Sequence, residues 1–237
     1  AAAMDAVNKA DKVLMVIGED WDWSGEAASR TDIGVPGVQS ELLRLIASTG
    51  KPVAVVLLNG RPLVLEEESK DADAILEAWY PGTMGAEAVT DVIFGLYNPS
   101  GKLTMTFPRN VGQVPIFYYE KNTGRPIYLP SEKYKSRYLD SPNDPLYPFG
   151  YGLSYTQFKY SDLTLSSSEM KKGSTLEAQV TVTNTGKWAG EETVRLYIRD
   201  MVGSVTRPVK LLKGFEKVTL APGASRKIKF VSDDDIL

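Results

Sequence analysis

Residues 13–35, VLMVIGEDWDWSGEAASRTDIGV, decide how the first part of this 237-residue chain folds. The run Val13–Ile17 is apolar throughout and rich in β-branched side chains, which is typical of a strand buried in a parallel sheet. The loop that follows, Gly18–Val35, contains carboxylates and two tryptophans at a density that a purely structural connection rarely needs. Because open α/β sheets bind ligands at the carboxyl ends of their strands, this loop is the first candidate for a functional site.

The sequence after this loop alternates between helical and strand patterns. Strand patterns cover Val53–Leu58 and Ala74–Trp79, and helical patterns cover Val38–Ser48 and Met84–Gly95. Such alternation implies right-handed crossovers and a parallel sheet that helices cover on both faces. The side chains predicted to face inward are Leu42, Leu45 and Ile46 in the first helix, and Val89, Val92, Ile93 and Phe94 in the second.

Both ends of the chain are predicted to continue elsewhere. Three strands are few for a parallel sheet, and residues 1–7 have the pattern of the end of an amphipathic helix, so we expect further strands upstream. Residues 1–107 are predicted to form an α/β sandwich domain, and 108–158 an ordered, aromatic crossover rich in proline and glycine. Residues 159–237 are predicted to form an incomplete fibronectin-III or immunoglobulin-like β-sandwich, since such a sandwich needs about seven strands. Its five strand patterns are Leu163–Leu165, Leu176–Thr183, Thr193–Arg199, Val209–Leu220 and Lys227–Phe230.

The composition excludes several classes of function. The net charge of −3, without a basic cluster, argues against binding to nucleic acid or to an anionic membrane, and no apolar run is long enough to span a bilayer. The absence of cysteine excludes disulfides and thiol chemistry, and the absence of histidine excludes Ser-His-Asp mechanisms. Acid/base catalysis near neutral pH would therefore rest on carboxylates, lysine or tyrosine. No cofactor is predicted. No metal site is predicted either, because Glu19, Asp20 and Asp22 lack the spacing of a calcium loop and its distal glutamate.

Glu26 is the candidate general acid/base of the loop. The residues around it leave two interpretations open. A carboxyl group flanked by small residues and close to Trp21 and Trp23 could lie in a partly apolar pocket, an environment that suits a general acid. Equally, Glu26 could be a solvated glutamate in a flexible loop, since short motifs are weak signals.

The other candidates in the loop are predicted to bind substrate. Trp21 and Trp23 could stack on a sugar ring or could only pin the loop to a partner domain, and Ser24 adjoins them. Arg30 could hold a substrate hydroxyl or a neighbouring carboxylate in bidentate fashion. Its structural alternative is an ion pair with Asp32.

Several long motifs resemble one family of enzymes. They are SGEAASRTDIGVPGVQSELL, KPVAVVLLNGRPL, ILEAWYPGTMGAEAVTDVIFGLYNPSGKLTMTFPR, NTGRP, YKSRYLD and LYPFGYGLSYTQF. In this order they resemble the C-terminal half of family-three glycoside hydrolases, above all the bacterial β-glucosidase group. The later stretch VTVTNTGKWAGEETVRLYIRD resembles the fibronectin-type-III-like domain of the same family. The resemblance covers essentially the whole chain.

The resemblance implies a three-part enzyme that consists of a (β/α)₈ barrel, an α/β sandwich and a fibronectin-like domain. It implies that the nucleophile is an aspartate on the barrel, which this sequence does not contain, and that Glu26 in the Ser-Gly-Glu segment is the acid/base. The implied substrate is a β-linked glucoside or oligosaccharide, and the implied location is periplasmic or secreted, with a cytoplasmic one left open. Two alternatives remain, a β-xylosidase of the same family and a non-catalytic fragment that binds carbohydrate or a partner.

Overall fold

The computed structural model describes residues 2–122, 124–125 and 133–233. Thr123 and Pro126 of the NTGRP motif and residues 234–237 lie outside the described ranges. The chain divides into two units: Ala1–Thr90, Met105–Ile116 and Tyr138–Phe149 belong to the first, and Asp91–Thr104, Phe117–Arg137 and Gly150–Leu237 to the second. In the described ranges no helix has both the length and the apolar character needed to cross a membrane.

The first unit contains the predicted parallel sheet. Strands β1 (Val13–Gly18), β2 (Val53–Leu58) and β3 (Ala74–Glu77) pair in the order β1-β2-β3, and both pairings are parallel. Its helices are α1 (Ala2–Lys9), α2 (Gln39–Ala47), α3 (Glu68–Asp71) and most of α4 (Gly85–Ile93), whose residues 91–93 belong to the second unit. The α/β prediction is therefore confirmed, with boundaries that differ by one or two residues.

The burial of β2 explains why its sequence is apolar without alternation. Val53, Val55, Val56 and Leu57 are all buried, as expected for a central strand that is covered on both faces. By contrast β1 alternates, with Met15 and Ile17 buried and Leu14 and Val16 exposed. In the sheet that the structure describes, β1 is an edge strand that pairs only with β2.

Two predicted helix faces need correction. In α2 the buried residues are Leu43 and Ile46, whereas Leu45 is 50% exposed, so the helix is rotated relative to the predicted face. In the second predicted helix, Val89, Val92 and Ile93 are partly buried but Phe94 is 75% exposed. In α2 the apolar residues form two overlapping stripes, and periodicity alone does not show which of them packs inward. Phe94 is exposed for another reason, since α4 ends at Ile93 and helical periodicity no longer applies to the residue after it.

The second unit is an antiparallel β-sandwich, as predicted. Strands β4 (Phe158–Leu165), β5 (Leu176–Asn184) and β8 (Ser225–Ser232) form one sheet, and β6 (Gly190–Ile198) and β7 (Leu211–Leu220) form the other. Side chains from both sheets share one core, which consists of Val182, Val194, Val218, Leu220 and Ile228. The fully buried Asn184 is satisfied by the Thr156 hydroxyl and by the carbonyl groups of Trp188 and Leu220, so it closes one end of this core.

Candidate functional site

The loop between β1 and α2 begins at a position that accepts only glycine. Gly18 has φ of 141°, and a Cβ atom on it would lie 1.8 Å from the carbonyl oxygen of Leu58. The next residue, Glu19, donates its backbone N–H to the same oxygen at 2.8 Å. The Gln39 side chain accepts from Gly18 N at 2.9 Å and donates to Gly18 O at 3.0 Å, which joins the start of the loop to the start of α2.

A buried ionic cluster holds the base of the loop. The carboxylate of Glu19 is fully buried and contacts Arg30 Nη1 at 2.6 Å and Arg61 Nε at 3.0 Å. Its second oxygen accepts from the backbone of Gly60 at 3.3 Å. Two guanidinium groups and a peptide N–H therefore replace the water that the buried carboxylate lost, which is the condition under which a buried charge is tolerated.

Arg30 pairs with a carboxylate, but not with Asp32. The structural alternative predicted from the sequence is wrong, because Arg30 points inward to Glu19 and also donates to the carbonyl of Gly34 at 3.2 Å. Asp32 instead accepts the backbone N–H of Gly34 at 2.8 Å, a local turn bond that leaves it on the surface. The Arg30 guanidinium also lies 5.0 Å from the ring centroid of Trp23.

The tip of the loop is a short 3₁₀ helix followed by a turn. The helix covers Trp21–Trp23, and its cap is Asp20, whose side chain accepts from the backbone of Trp21 at 2.7 Å. Trp21 is 82% exposed and Trp23 40% exposed. Ser24 packs closely on Gly60, where a Cβ atom would come within 2.0 Å of the Ser24 hydroxyl oxygen.

Glu26 lies within this turn. It is exposed, and it follows Gly25, which has φ of 111°, and precedes Ala27, which has φ of 59°. Within the described residues, no hydrogen bond or ion pair engages its carboxylate. Glu26 is solvent-exposed in this chain, and its role as the acid/base stays a prediction.

The loops that follow β2 and β3 also contribute side chains to this edge, which the motifs of the sequence do not predict. Arg61 donates to the carbonyl oxygens of Ala28, at 2.9 Å, and of Trp23. Asn59 is fully buried and donates to the carbonyl of Arg61 at 2.7 Å. From the third loop, the Tyr80 hydroxyl donates to the carbonyl of Asp20 at 3.1 Å. The order of the strands could have indicated these residues, because neighbouring parallel strands bring the loops at their carboxyl ends to the same edge of the sheet.

Glu77 lies at the end of β3, at the carboxyl edge of the sheet, and its pKa is strongly shifted. Its Oε1 atom accepts from the backbone of Trp79 at 2.9 Å, while Oε2 is buried without a hydrogen-bond partner among the described groups. Burial raises the pKa of Glu77 to about 7, although hydrogen bonds from Trp79 and Asn59 oppose the rise. Across the part of the chain that the structure describes, no three acidic side chains gather closely enough to hold a metal ion.

Fold and site together define a class of protein. An α/β unit that carries an acidic, tryptophan-bearing loop, joined to an all-β unit, is the architecture of the glycoside hydrolases that the motifs resemble. Residues 1–155 match the glycosyl hydrolase family 3 C-terminal domain, and residues 192–237 match the fibronectin type III-like domain. The chain therefore belongs to glycosyl hydrolase family 3.

Individual relatives agree with this assignment. A periplasmic β-glucosidase of Salmonella typhimurium is 52% identical over 99% of this chain, and a β-xylosidase of Formosa agariphila is 46% identical over 96% of it. The crystal structure of a β-glucosidase from Listeria innocua in complex with glucose superposes with a TM-score of 0.95 at 41% identity, over 99% of this chain. The chain spans 31% of the length of either relative and 33% of the Listeria chain.

Proposed function

We propose that this chain is the C-terminal part of a retaining β-glucosidase and that Glu26 is the general acid/base. The observation that carries the proposal is the placement of Glu26. It is an exposed carboxylate at the tip of a loop whose base is held by buried ion pairs, at the carboxyl edge of a parallel sheet. Membership of the family supports the proposal, because the Ser-Gly-Glu segment is where the resemblance puts the acid/base.

The proposed mechanism divides the work between this chain and a barrel domain. An aspartate of the barrel attacks the anomeric carbon, while Glu26 gives its proton to the glycosidic oxygen as the aglycone leaves. The Glu26 carboxylate then takes a proton from the water that hydrolyses the glycosyl-enzyme. Retaining hydrolysis needs the two carboxyl groups about 5 to 5.5 Å apart, so Glu26 must project from its own domain, and its exposure is consistent with this. Trp21 and Trp23 are proposed to stack on the sugar, with Ser24 and Arg30 beside them.

The proposed substrates carry a terminal, non-reducing β-D-glucosyl residue. A β-xylosidase is the second candidate, because the Formosa relative with that activity in its name is nearly as similar as the Salmonella relative. A periplasmic location is proposed from the Salmonella relative. Since one of the two carboxyl groups comes from outside this chain, the chain by itself is expected to be inactive.

The test uses the full-length protein and a series of β-glucosides with different leaving groups. For Glu26→Ala, kcat/KM for alkyl glucosides should fall by roughly 10²- to 10⁴-fold, the usual contribution of a general acid. Dinitrophenyl glucoside should lose far less in kcat/KM, because its leaving group needs no proton. Added azide should restore kcat for this substrate by replacing the base-assisted water. Glu41→Ala, which removes an exposed glutamate on α2, is the matched control.

Three results would count against the proposal. Unchanged hydrolysis of alkyl glucosides by Glu26→Ala would remove the assignment of the acid/base. A preference for aryl β-xylosides over aryl β-glucosides in the unaltered protein would favour the xylosidase. A full-length protein that binds oligosaccharide without cleaving it would favour the non-catalytic alternative.

A further inference from the structure

Arg61 joins the two sides of the turn that bears Glu26. It lies in the loop after β2, 35 positions away in sequence from Glu26, and its guanidinium group reaches across to the loop after β1. One nitrogen, Nη2, donates to the carbonyl of Trp23, before the turn, and to the carbonyl of Ala28, after it. Trp23 and Ala28 are the residues that immediately precede and follow residues 24–27, so Arg61 bonds to both flanks of the turn.

Arg61 is itself held in one orientation by its surroundings. Its Nε atom contacts the buried carboxylate of Glu19 at 3.0 Å, and its carbonyl oxygen accepts from the buried Asn59 amide at 2.7 Å. A planar guanidinium group with fixed donor directions can serve a carboxylate and two carbonyl groups at the same time. Arg61 therefore links both flanks of the turn to the buried carboxylate at the base of the loop.

The turn has few means of holding itself. Gly25 and Ala27 both have positive φ, and Glu26 between them is exposed, with no hydrogen bond or ion pair to its carboxylate from the described residues. Trp21 packs on little, since it is 82% exposed. An acid/base on such a turn needs an external support, because a displacement of about 1 Å can cost roughly 10²-fold in rate.

We propose that Arg61 is the positioning residue for the acid/base, and that it sets the reach of Glu26 by fixing the carbonyl groups on either side of it. The inference rests on the proposed role of Glu26. Arg61 takes no part in proton transfer and does not contact the substrate. Glu19 orients Arg61, and it keeps Arg30 as a second partner when Arg61 is replaced.

The test compares Arg61→Ala and Arg61→Lys in the full-length protein with the same leaving-group series. For Arg61→Ala we expect kcat/KM to fall roughly 10²-fold for alkyl glucosides and by less than about threefold for dinitrophenyl glucoside, because only the former need a well-placed proton donor. Free guanidinium ion should restore part of the alkyl glucoside activity. Arg61→Lys keeps the charge beside Glu19 but cannot contact the carboxylate and both carbonyl groups, so it should remain impaired.

The control is Arg44→Ala, which removes an arginine of α2 whose partners are the exposed carboxylate of Glu67 and that of Asp71. It should leave all substrates unaffected. An equal loss on every substrate for Arg61→Ala, or full activity of Arg61→Lys, would overturn the inference, the latter because charge balance alone would then suffice. Glu26→Ala is measured in parallel. If it shows leaving-group dependence and Arg61→Ala does not, only the positioning role fails, whereas if Glu26→Ala shows none, both proposals fail.

Discussion

The base and the tip of the Gly18–Val35 loop are built in opposite ways. At the base, Glu19 is fully buried and paired with two arginines, and Gly18 leaves no space for a side chain. At the tip, Trp21 and Glu26 project into solvent, and the described residues leave the Glu26 carboxylate without a partner. One loop thus contains a buried carboxylate, Glu19, that is neutralised by two arginines, and a solvent-exposed carboxylate, Glu26, that is unpaired among the described residues.

This difference distinguishes carboxylates that stabilise the fold from carboxylates that are free to react with a substrate. A carboxylate that is desolvated and doubly paired contributes to the fold, since removing it leaves two unbalanced cations. A carboxylate in solvent contributes almost nothing to stability, so its presence at a fixed place needs another explanation. The three predictions below test this division, in order of decreasing effect.

The largest effect is expected from Glu19→Ala. Removal of one partner from a buried ion pair typically costs about 3 to 5 kcal/mol, and here both Arg30 and Arg61 lose their counter-charge. The free energy of unfolding from urea denaturation should fall by this amount, whereas Glu41→Ala on the surface of α2 should change it by less than about 0.5 kcal/mol. A loss below about 1 kcal/mol would mean that the cluster does not hold the loop.

A smaller, pH-dependent effect is expected at Glu77, whose carboxyl group is partly buried and has no guanidinium partner among the described contacts. Its pKa is raised from 4.5 to about 7 by burial, so the folded state holds the proton more tightly than the unfolded state does. The stabilisation is complete below about pH 4.5 and is lost as pH rises to about 7, at roughly 1.4 kcal/mol for each pH unit at most.

Urea denaturation of Glu77→Gln at several pH values measures this effect. The variant should lack the decline between pH 4.5 and 7 and should be more stable than the unaltered protein at pH 8 by about 2 to 3 kcal/mol at most. Parallel pH profiles for the two proteins would show that Glu77 ionises like an exposed carboxyl. The contrast with Glu19 would then rest on geometry alone.

The smallest effect on stability is expected from Trp21→Ala. Because Trp21 is 82% exposed, its removal should change the free energy of unfolding by less than about 0.5 kcal/mol. If Trp21 stacks on the sugar as proposed, KM for oligosaccharides should rise in the same variant. A large loss of stability would show that Trp21 stabilises the fold as the residues at the base do, which would contradict the distinction between base and tip.

Much of the fold could be predicted because β2 and the loop signals are strong. Val53–Leu58 has the predicted bounds, since a six-residue, β-branched apolar run that ends at Asn-Gly is typical of a buried strand. The inward position predicted for Leu45 is wrong because amphipathic periodicity does not fix the rotation of a helix that has apolar residues on two stripes, and that of Phe94 is wrong because α4 ends one residue before it. The tertiary contact decides which stripe is buried.

The site was only partly predictable, for a different reason. Glu26, Trp21 and Trp23 are candidates because they form one dense segment, and their roles stay predictions. The predicted pairing of Arg30 with Asp32 is wrong, because nearness in sequence does not show which carboxylate is buried beside the arginine. The role of Arg61 depends on β1 and β2 being neighbours and on a guanidinium orientation that no linear pattern encodes. The sequence therefore indicates residues that are close along the chain, but not hydrogen bonds and ion pairs between the loops of neighbouring strands.

The anchoring of the tip has an evolutionary consequence. Arg61 donates hydrogen bonds to the main-chain carbonyl oxygens of Trp23 and Ala28, and every amino acid has such an oxygen. Substitutions can therefore exchange the side chains at the tip without removing these two hydrogen bonds, so that the exposed part of the loop can change while the backbone of the turn keeps its place.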